Sequence, residues 1–258
     1  MPIKPLQKSF LVLYEAVQAT GILNTAWGRS LFETGYIFYK NHYEAKSIAL
    51  LQQYVKPDSL VIDVGANIGF FTLHLARWVT GTGKVIAIEP ETTNYERLQR
   101  QLVRAGVIEQ VETIKGAVAN QRGSTFLELN PHHPGDHKLS RNGQGISVPV
   151  TTIDALVEAH GWQTVSFIKI DVQGAESLVL AGAEETLNRF RPVLMIEVGN
   201  DYLKQYGSST QALLTFLFDR GYTGHLLQKN AVSSSLTLST ILQIEQERGY
   251  LDVIFLPG

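Results

Sequence analysis

Four acidic residues stand where a parallel sheet would gather them. Asp63, Glu89, Asp171 and Glu197 each sit inside or just past the end of a short apolar run rich in β-branched residues. In an open α/β sheet such positions line the crevice outside the carboxyl ends of the strands. Asp63 belongs to Val61-Ile62-Asp63-Val64-Gly65-Ala66-Asn67-Ile68-Gly69-Phe70-Phe71, a strand that turns through two glycines directly into a helix. Gly65 and Gly69 let the backbone approach a ligand where a Cβ would collide. The helix that follows offers N–H groups without intrahelical partners. A dinucleotide site would carry G-x-G-x-x-G, but position 67 is Asn67 and the spacing is Gly-x-x-x-Gly. A carboxylate at 63 would repel a diphosphate and suits a ligand with a cationic amino group.

Glu89 closes the next run, Val85-Ile86-Ala87-Ile88-Glu89-Pro90, and Pro90 stops that strand. A carboxylate there can accept hydrogen bonds from both hydroxyls of a ribose; the competing reading is a solvent-exposed strand end. In Phe167-Ile168-Lys169-Ile170-Asp171-Val172-Gln173-Gly174-Ala175-Glu176, Lys169 and Asp171 interrupt an apolar strand. Unpaired charges there would cost several kcal/mol, so they are either a structural pair or the mouth of a site. His132, His133 and His137 are candidates for a metal, a general base or substrate contact against a plain solvated loop, and Pro134 and Gly135 break any helical spacing between them. His74 reads as helix surface. Trp27, Phe32, Tyr36, Phe38 and Tyr39 either line a pocket for an apolar acceptor or pack against the sheet domain.

The elements that must position these residues alternate. Strand-like runs at Leu60 to Val64, Val85 to Ile88, Val111 to Ile114, Phe167 to Ile170 and Val193 to Ile196 are separated by helical patterns, the signature of a parallel sheet covered on both faces. Helices are expected over Asn94 to Ala105 and Thr152 to His160, with Thr151 and Asp154 as a capping box. Ser124 to Leu129 and Ile146 to Val150 read as short strand pieces joined by a long loop over one sheet edge. Gly221 to Gln228 and Tyr250 to Leu256 read as an antiparallel ribbon joined by a long Ser-rich connection. Residues 1–56 form a helical N-terminal extension with apolar positions at helical spacing, ahead of a main domain spanning 57–258.

Composition narrows the chemistry. Twenty-two Lys and Arg against 24 Asp and Glu, a net charge of −2, is too balanced for a protein that neutralises nucleic-acid phosphates. The absence of cysteine removes thiolate nucleophiles, Cys-ligated zinc and iron–sulfur clusters. No apolar run reaches the length of a membrane span, and the apolar run from Phe10 is ended by Glu15 before it reaches a secretory core. A cytoplasmic protein is expected.

Taken together, Asp63 to Gly69, Glu89-Pro90, Gly116-Ala117-Val118, Thr152-Ile153-Asp154, Lys169 to Glu176 and Arg191-Pro192 leading to Glu197 resemble the S-adenosylmethionine-dependent methyltransferases of the FkbM family. The resemblance runs from about Asp58 to Val198. It implies an α/β fold, the class I methyltransferase Rossmann-like sheet of seven strands in the order 3-2-1-4-5-7-6 with the last antiparallel. It places the methionine end of S-adenosyl-L-methionine over Gly65, Ala66, Asn67 and Gly69 with Asp63 nearby. The ribose then falls on Glu89 beside Pro90, and adenine near Ala117 and Val118. Tyr43-Glu44 matches a family pattern upstream of the first strand, which implies that the extension folds over the cofactor and brings Glu44 to it. One departure is Gln173, where the family usually carries Glu, so an ionic or metal role at 173 is in doubt.

The expected reaction is O-methylation of a sugar, glycolipid or polyketide-like hydroxyl, with Asp171 as the proton acceptor and no metal assigned. The expected partner is a small-molecule, carbohydrate-linked or lipid-linked acceptor, with no nucleic acid, and a homodimer is left open. Two other readings stay open on the sequence: a nicotinamide-dependent oxidoreductase and a non-catalytic binding module on the same fold. The missing cysteines also exclude the radical route to methylation, which needs a Cys-bound cluster.

Overall fold

The computed structural model describes Thr25 and residues 45–130, 137–161, 164–228 and 230–258. Strands β1 (Leu60–Val64), β2 (Lys84–Glu89) and β3 (Val111–Lys115) are followed by three short ones, β4 (Ala117–Val118), β5 (Gly123–Glu128) and β6 (Lys138–Leu139). After them come β7 (Ile146–Thr151), β8 (Val165–Ile170), β9 (Val193–Val198), β10 (Tyr222–Leu226) and β11 (Leu251–Pro257). The main sheet has the order β10-β11-β9-β8-β1-β2-β3. Its neighbours from β9 to β3 are parallel, while β11 runs antiparallel to both β9 and β10. Counted from the other edge, skipping the strands of a second sheet, this is the sequence 3-2-1-4-5-7-6.

Alternation along each strand divides the core. Leu60, Ile62 and Val64 of β1 pack on one face with helices α4 (Ile153–His160), α5 (Glu176–Ala181), α6 (Glu184–Phe190) and α8 (Thr210–Phe218). Val61, Val85, Ala87 and Phe167 pack on the other with α2 (Phe70–Trp78) and α3 (Thr92–Arg104), through Leu75, Leu98 and Leu102. The period of two along β1, β2, β8 and β9 therefore assigns Asp63, Glu89, Lys169 and Glu197 to the α2 side of the sheet. Ile48 and Leu51, in α1 (Ala45–Ile48) and the 3-10 helix after it, are 2% and 0% exposed, and Leu51 joins the α2-side core. The end of the expected extension is thus part of the core. Its remainder apart from Thr25, including Glu44 and the aromatic residues from Trp27 to Tyr39, lies outside the described residues.

Three local expectations are corrected. Thr151 ends β7, and the cap of α4 is Thr152, whose hydroxyl accepts the Ala155 N–H at 3.0 Å. Asp154 caps α6 instead, accepting the N–H groups of Glu185 and Thr186 at 3.1 and 2.8 Å. The link between β10 and β11 contains a helix, α9 (Leu238–Arg248), whose weak amphipathic pattern hid it among serines. The segment after β3 is more than a loop over one edge: β4, β7, β5 and β6 form a second sheet in that order. Pro149 inside β7 argues on sequence grounds against a strand with neighbours on both sides, yet β7 lies between β4 and β5. Leu127, Val148 and Ala117 give this sheet a small core of its own. Among the described residues no helix is long and apolar enough to cross a membrane.

Candidate active site

A cleft of about 260 Å³ opens at the carboxyl ends of β1, β2, β8 and β9. The sharp exit from β1 builds its floor. Gly65 (φ +77°) and Asn67 (φ +50°) both take left-handed backbone, which Gly and Asn tolerate best. The Asn67 side-chain oxygen accepts the Ile68 N–H at 2.8 Å, closing the turn locally. Gly65 lines the cleft, as expected of it, and both glycines also serve packing. A Cβ at Gly65 would collide with the Asp171 carbonyl oxygen, and one at Gly69 would come within 2.8 Å of the Leu98 side chain. They let β1 pass β8 and let α2 pack on α3. Gly69 is the residue before α2, which starts without a side-chain cap, and it does not line the cleft.

The expected position of Asp63 is also corrected. Its side chain is 0% exposed and absent from the cleft wall. Thr72 Oγ1 of α2 donates to Asp63 Oδ2 at 2.7 Å, and Lys169 Nζ lies 3.4 Å from Oδ1. The cause is register, because Asp63 and Lys169 are direct partners on adjacent parallel strands. Lys169 Nζ also lies 3.4 Å from Asp171 Oδ2, donates to the Gly65 carbonyl at 3.3 Å, and sits 5.2 Å from the Phe71 ring centre. One ammonium thus neutralises the floor and fixes the cleft-facing carboxylate. A buried ion pair of this kind is costly to break on one side.

Glu89 does line the cleft and is only 5% exposed. Its Oε2 accepts the Asn67 N–H at 2.9 Å and its Oε1 the Glu91 N–H at 3.0 Å. An ionised carboxylate has roughly four acceptor positions, so each oxygen keeps capacity for a ligand hydroxyl. Burial pushes the Glu89 pKa up to about 7, partly offset by those two hydrogen bonds. Glu91 in turn caps α3, accepting the Thr93 and Asn94 N–H groups at 2.9 and 2.7 Å. Ala66, Pro90, Ala117 and Val118 line the same cleft.

On the β8 side, Asp171 and Glu197 line the wall together with Gln173. The Gln173 carboxamide nitrogen donates to Asp171 Oδ1 at 3.3 Å and to Glu197 Oε2 at 3.2 Å. Burial and the charges of Asp171, Asp252 and Glu176 raise the Glu197 pKa well above its ordinary value. The loop itself hangs on Glu176, 2% exposed, whose Oε1 accepts the Val172 and Gly174 N–H groups at 3.1 and 3.0 Å. Burial raises the Glu176 pKa to about 7. Sequence reasoning saw neither role; an acid two residues beyond a glycine in a turn is the signal for the second.

The second sheet supplies Leu127 and Leu139 to the cleft, contributions the sequence did not announce, and His137, one of the candidate histidines, lines it just before β6. Tyr206 donates its hydroxyl to the Leu139 carbonyl at 2.7 Å, and Lys138 Nζ lies 4.9 Å from the Tyr202 ring centre, tying β6 to α7 (Asn200–Leu203) and the 3-10 turn after it. His137 accepts the Asn130 N–H on Nδ1 at 3.1 Å, while His132 and His133 lie outside the described residues. Among the described residues no group of three or more His, Asp or Glu is arranged to hold a metal ion. His74 is not plain helix surface. It is half-buried between Phe70 and Trp78, with ring centres 5.4 and 5.6 Å away, and burial and Arg77 lower its pKa.

A glycine turn, an acid at the second strand end and a carboxylate pair on the far wall occur together in several enzyme classes. The model of the Methyltransferase FkbM domain matches residues 63–223, more than half of the chain and all of these elements. The chain belongs to the FkbM methyltransferase family. It is 23% identical over 201 residues to the 2-O-methyltransferase NoeI of Sinorhizobium fredii, covering 68% of this chain and 81% of NoeI. It is 27% identical over 157 residues to the methyltransferase sdnD of Sordaria araneosa, covering 48% of this chain and 60% of sdnD. Identity to the 31-O-demethyl-FK506 methyltransferase FkbM of Streptomyces tacrolimicus is 26% over 163 residues, 51% of this chain and 62% of that protein. The chain thus spans about three fifths of sdnD. A crystal structure of methyltransferase FkbM from Methylobacillus flagellatus KT superposes with a TM-score of 0.49 at 19% identity, covering 78% of this chain and 44% of that one.

Proposed function

We propose that this FkbM-family chain is an S-adenosylmethionine-dependent O-methyltransferase on a class I methyltransferase fold, acting on a hydroxyl of a sugar, glycolipid or polyketide-like molecule. The observation that carries the proposal is the single cleft shared by Glu89, the Gly65–Asn67 turn and Asp171. Glu89, with acceptor capacity left on both oxygens, binds the ribose hydroxyls. Ala66 and Asn67 accommodate the methionine end, and Ala117 and Val118 flank the adenine. Asp63 acts from below, by holding Lys169. Two relatives with hydroxyl methylation in their names, the 2-O-methyltransferase NoeI and the 31-O-demethyl-FK506 methyltransferase, support oxygen as the acceptor atom.

S-adenosylmethionine supplies a methyl group on a sulfonium, so the new oxygen–carbon bond forms as the sulfur–carbon bond breaks and its electron pair returns to sulfur. The protein's work is to align the acceptor and exclude water. Leu127 and Leu139 narrow the cleft from the second sheet. Asp171 takes the hydroxyl proton as the oxygen becomes positive, and Lys169 fixes its orientation. Asp171→Asn is expected to lower turnover by about 10²-fold or more while S-adenosylhomocysteine binds as before; an unchanged rate would remove Asp171 from this role.

A further inference from the structure

One proton acceptor suffices for methyl transfer, yet the wall opposite Glu89 carries two carboxylates. Resting on the methyltransferase reading, we infer that Glu197, held beside Asp171 by Gln173, selects an uncharged acceptor with two neighbouring hydroxyls, the vicinal diol of a sugar ring.

The two carboxylates come from different strands, Asp171 from the end of β8 and Glu197 from β9. The parallel register that pairs Ile170 with Ile196 carries Asp171 and Glu197 to neighbouring positions at the strand ends. Gln173 bridges the pair, its one carboxamide nitrogen donating to Asp171 at 3.3 Å and to Glu197 at 3.2 Å. Its starting point is fixed: Gln173 takes left-handed backbone at φ +55°, and the N–H groups on both sides of it are held by buried Glu176. A carboxylate at 173 could donate to neither neighbour and would add a third negative charge.

The balance of charge then defines the acceptor. Among the described residues, Lys169 is shared between Asp63 and Asp171, so the acids of this wall outnumber its cations, which disfavours a phosphate or carboxylate. Each carboxyl group keeps an accepting oxygen, Glu197 included even though burial and its acidic neighbours favour its protonated form, so the pair calls for hydroxyl donors. Asp171 receives the proton of the reacting hydroxyl as the oxygen–carbon bond forms. Glu197 accepts from the adjacent hydroxyl, undergoes no covalent change and sets which hydroxyl is presented. Gln173 is a positioning residue acting through both.

The test uses the full chain, first titrated with S-adenosylhomocysteine, then given labelled S-adenosylmethionine and the methyl glycosides of glucose, galactose and mannose. Their monodeoxy derivatives, glycuronides and 2-amino-2-deoxy analogues complete the set. At least one parent glycoside is expected to take label on oxygen, and loss of the neighbouring hydroxyl to lower kcat/KM by about tenfold or more. The glycuronides are expected to stay unlabelled. Glu197→Gln is expected to raise KM about tenfold while kcat moves by less than about threefold. Gln173→Glu is expected to raise KM further, with S-adenosylhomocysteine affinity unchanged in both variants. Glu197→Gln removes a buried carboxylate among like charges, so its melting temperature should not fall, which separates lost recognition from lost folding. The inference is overturned by labelling of deoxy and parent glycosides at equal rates, by preferred labelling of the amino group, by an unchanged KM in Glu197→Gln, or by no glycoside being labelled although S-adenosylhomocysteine binds. Failure of S-adenosylhomocysteine to bind would instead overturn the methyltransferase reading beneath it.

Discussion

The two acids that most shape the cleft, Glu89 and Glu197, are held in opposite ways. Glu89 is gripped by two backbone N–H groups, from Asn67 and Glu91, which no substitution of those side chains removes outright. Glu197 is reached by a side-chain amide, that of Gln173, and pressed by the charges of Asp171, Asp252 and Glu176. The β1–β2 half is therefore fixed by the path of the chain, and the β8–β9 half by replaceable side chains. A common donor recognised by the first half and a variable acceptor recognised by the second would need that division.

Lys169 joins the halves, so its loss should have the largest effect. Lys169→Met leaves Asp63 buried without its counter-ion and is expected to cost about 3–5 kcal/mol, read from urea unfolding; a loss under about 1 kcal/mol would mean the pair behaves as an exposed one. Gly65→Ala drives a Cβ into the Asp171 carbonyl at positive φ, and strain plus overpacking should cost about 2–4 kcal/mol by the same measurement. Glu89→Ala touches the backbone-held half alone. It should weaken S-adenosylhomocysteine at least about tenfold and leave KM for the acceptor unchanged, whereas Glu197→Gln does the reverse; equal effects on both ligands would erase the distinction. The smallest effect should come from Thr152→Ala, remote from both halves. Loss of the α4 cap should cost about 1 kcal/mol in unfolding and nothing in cofactor affinity.

Both halves contribute to a common pH dependence. Glu89 and Glu176 sit near 7 in the folded chain against an ordinary 4.5, so the folded state binds more protons than the unfolded one between those values. Stability is therefore greatest at or below about pH 4.5 as far as these groups are concerned, declines as pH rises towards 7, and levels above it. Asp58, lowered by its bonds to Thr82, opposes this as pH falls through its range. Thermal melts between pH 5 and 8 check the decline.

The main sheet was legible because its buried strands are continuous β-branched runs, and the acids at their ends were legible because charge stands out against such runs. What each acid does was less so. Asp63 looked like a ligand group, but strand register gives it to Lys169. Gly69 looked like room for a ligand, but its space is taken by Leu98, while Gly65 lines the cleft and also clears the Asp171 carbonyl. Gln173 read as a weakened family position, and its bridge between two strands depends on a contact that no local pattern encodes. The second sheet was missed because β4 and β6 have two residues each and draw their order from pairing rather than from pattern.

The role proposed for Glu89 in holding the cofactor is tested most directly by proton-linked binding. Burial places Glu89 near pH 7, and a ribose diol donating to it favours the ionised form. Calorimetric titration with S-adenosylhomocysteine from pH 5.5 to 8, in buffers of different ionisation enthalpy, should show affinity rising with pH by up to about tenfold per unit below 7. Protons should be released on binding in that range, and both effects should vanish in Glu89→Gln. Binding that is independent of pH, or that keeps its pH dependence in Glu89→Gln, would contradict the account.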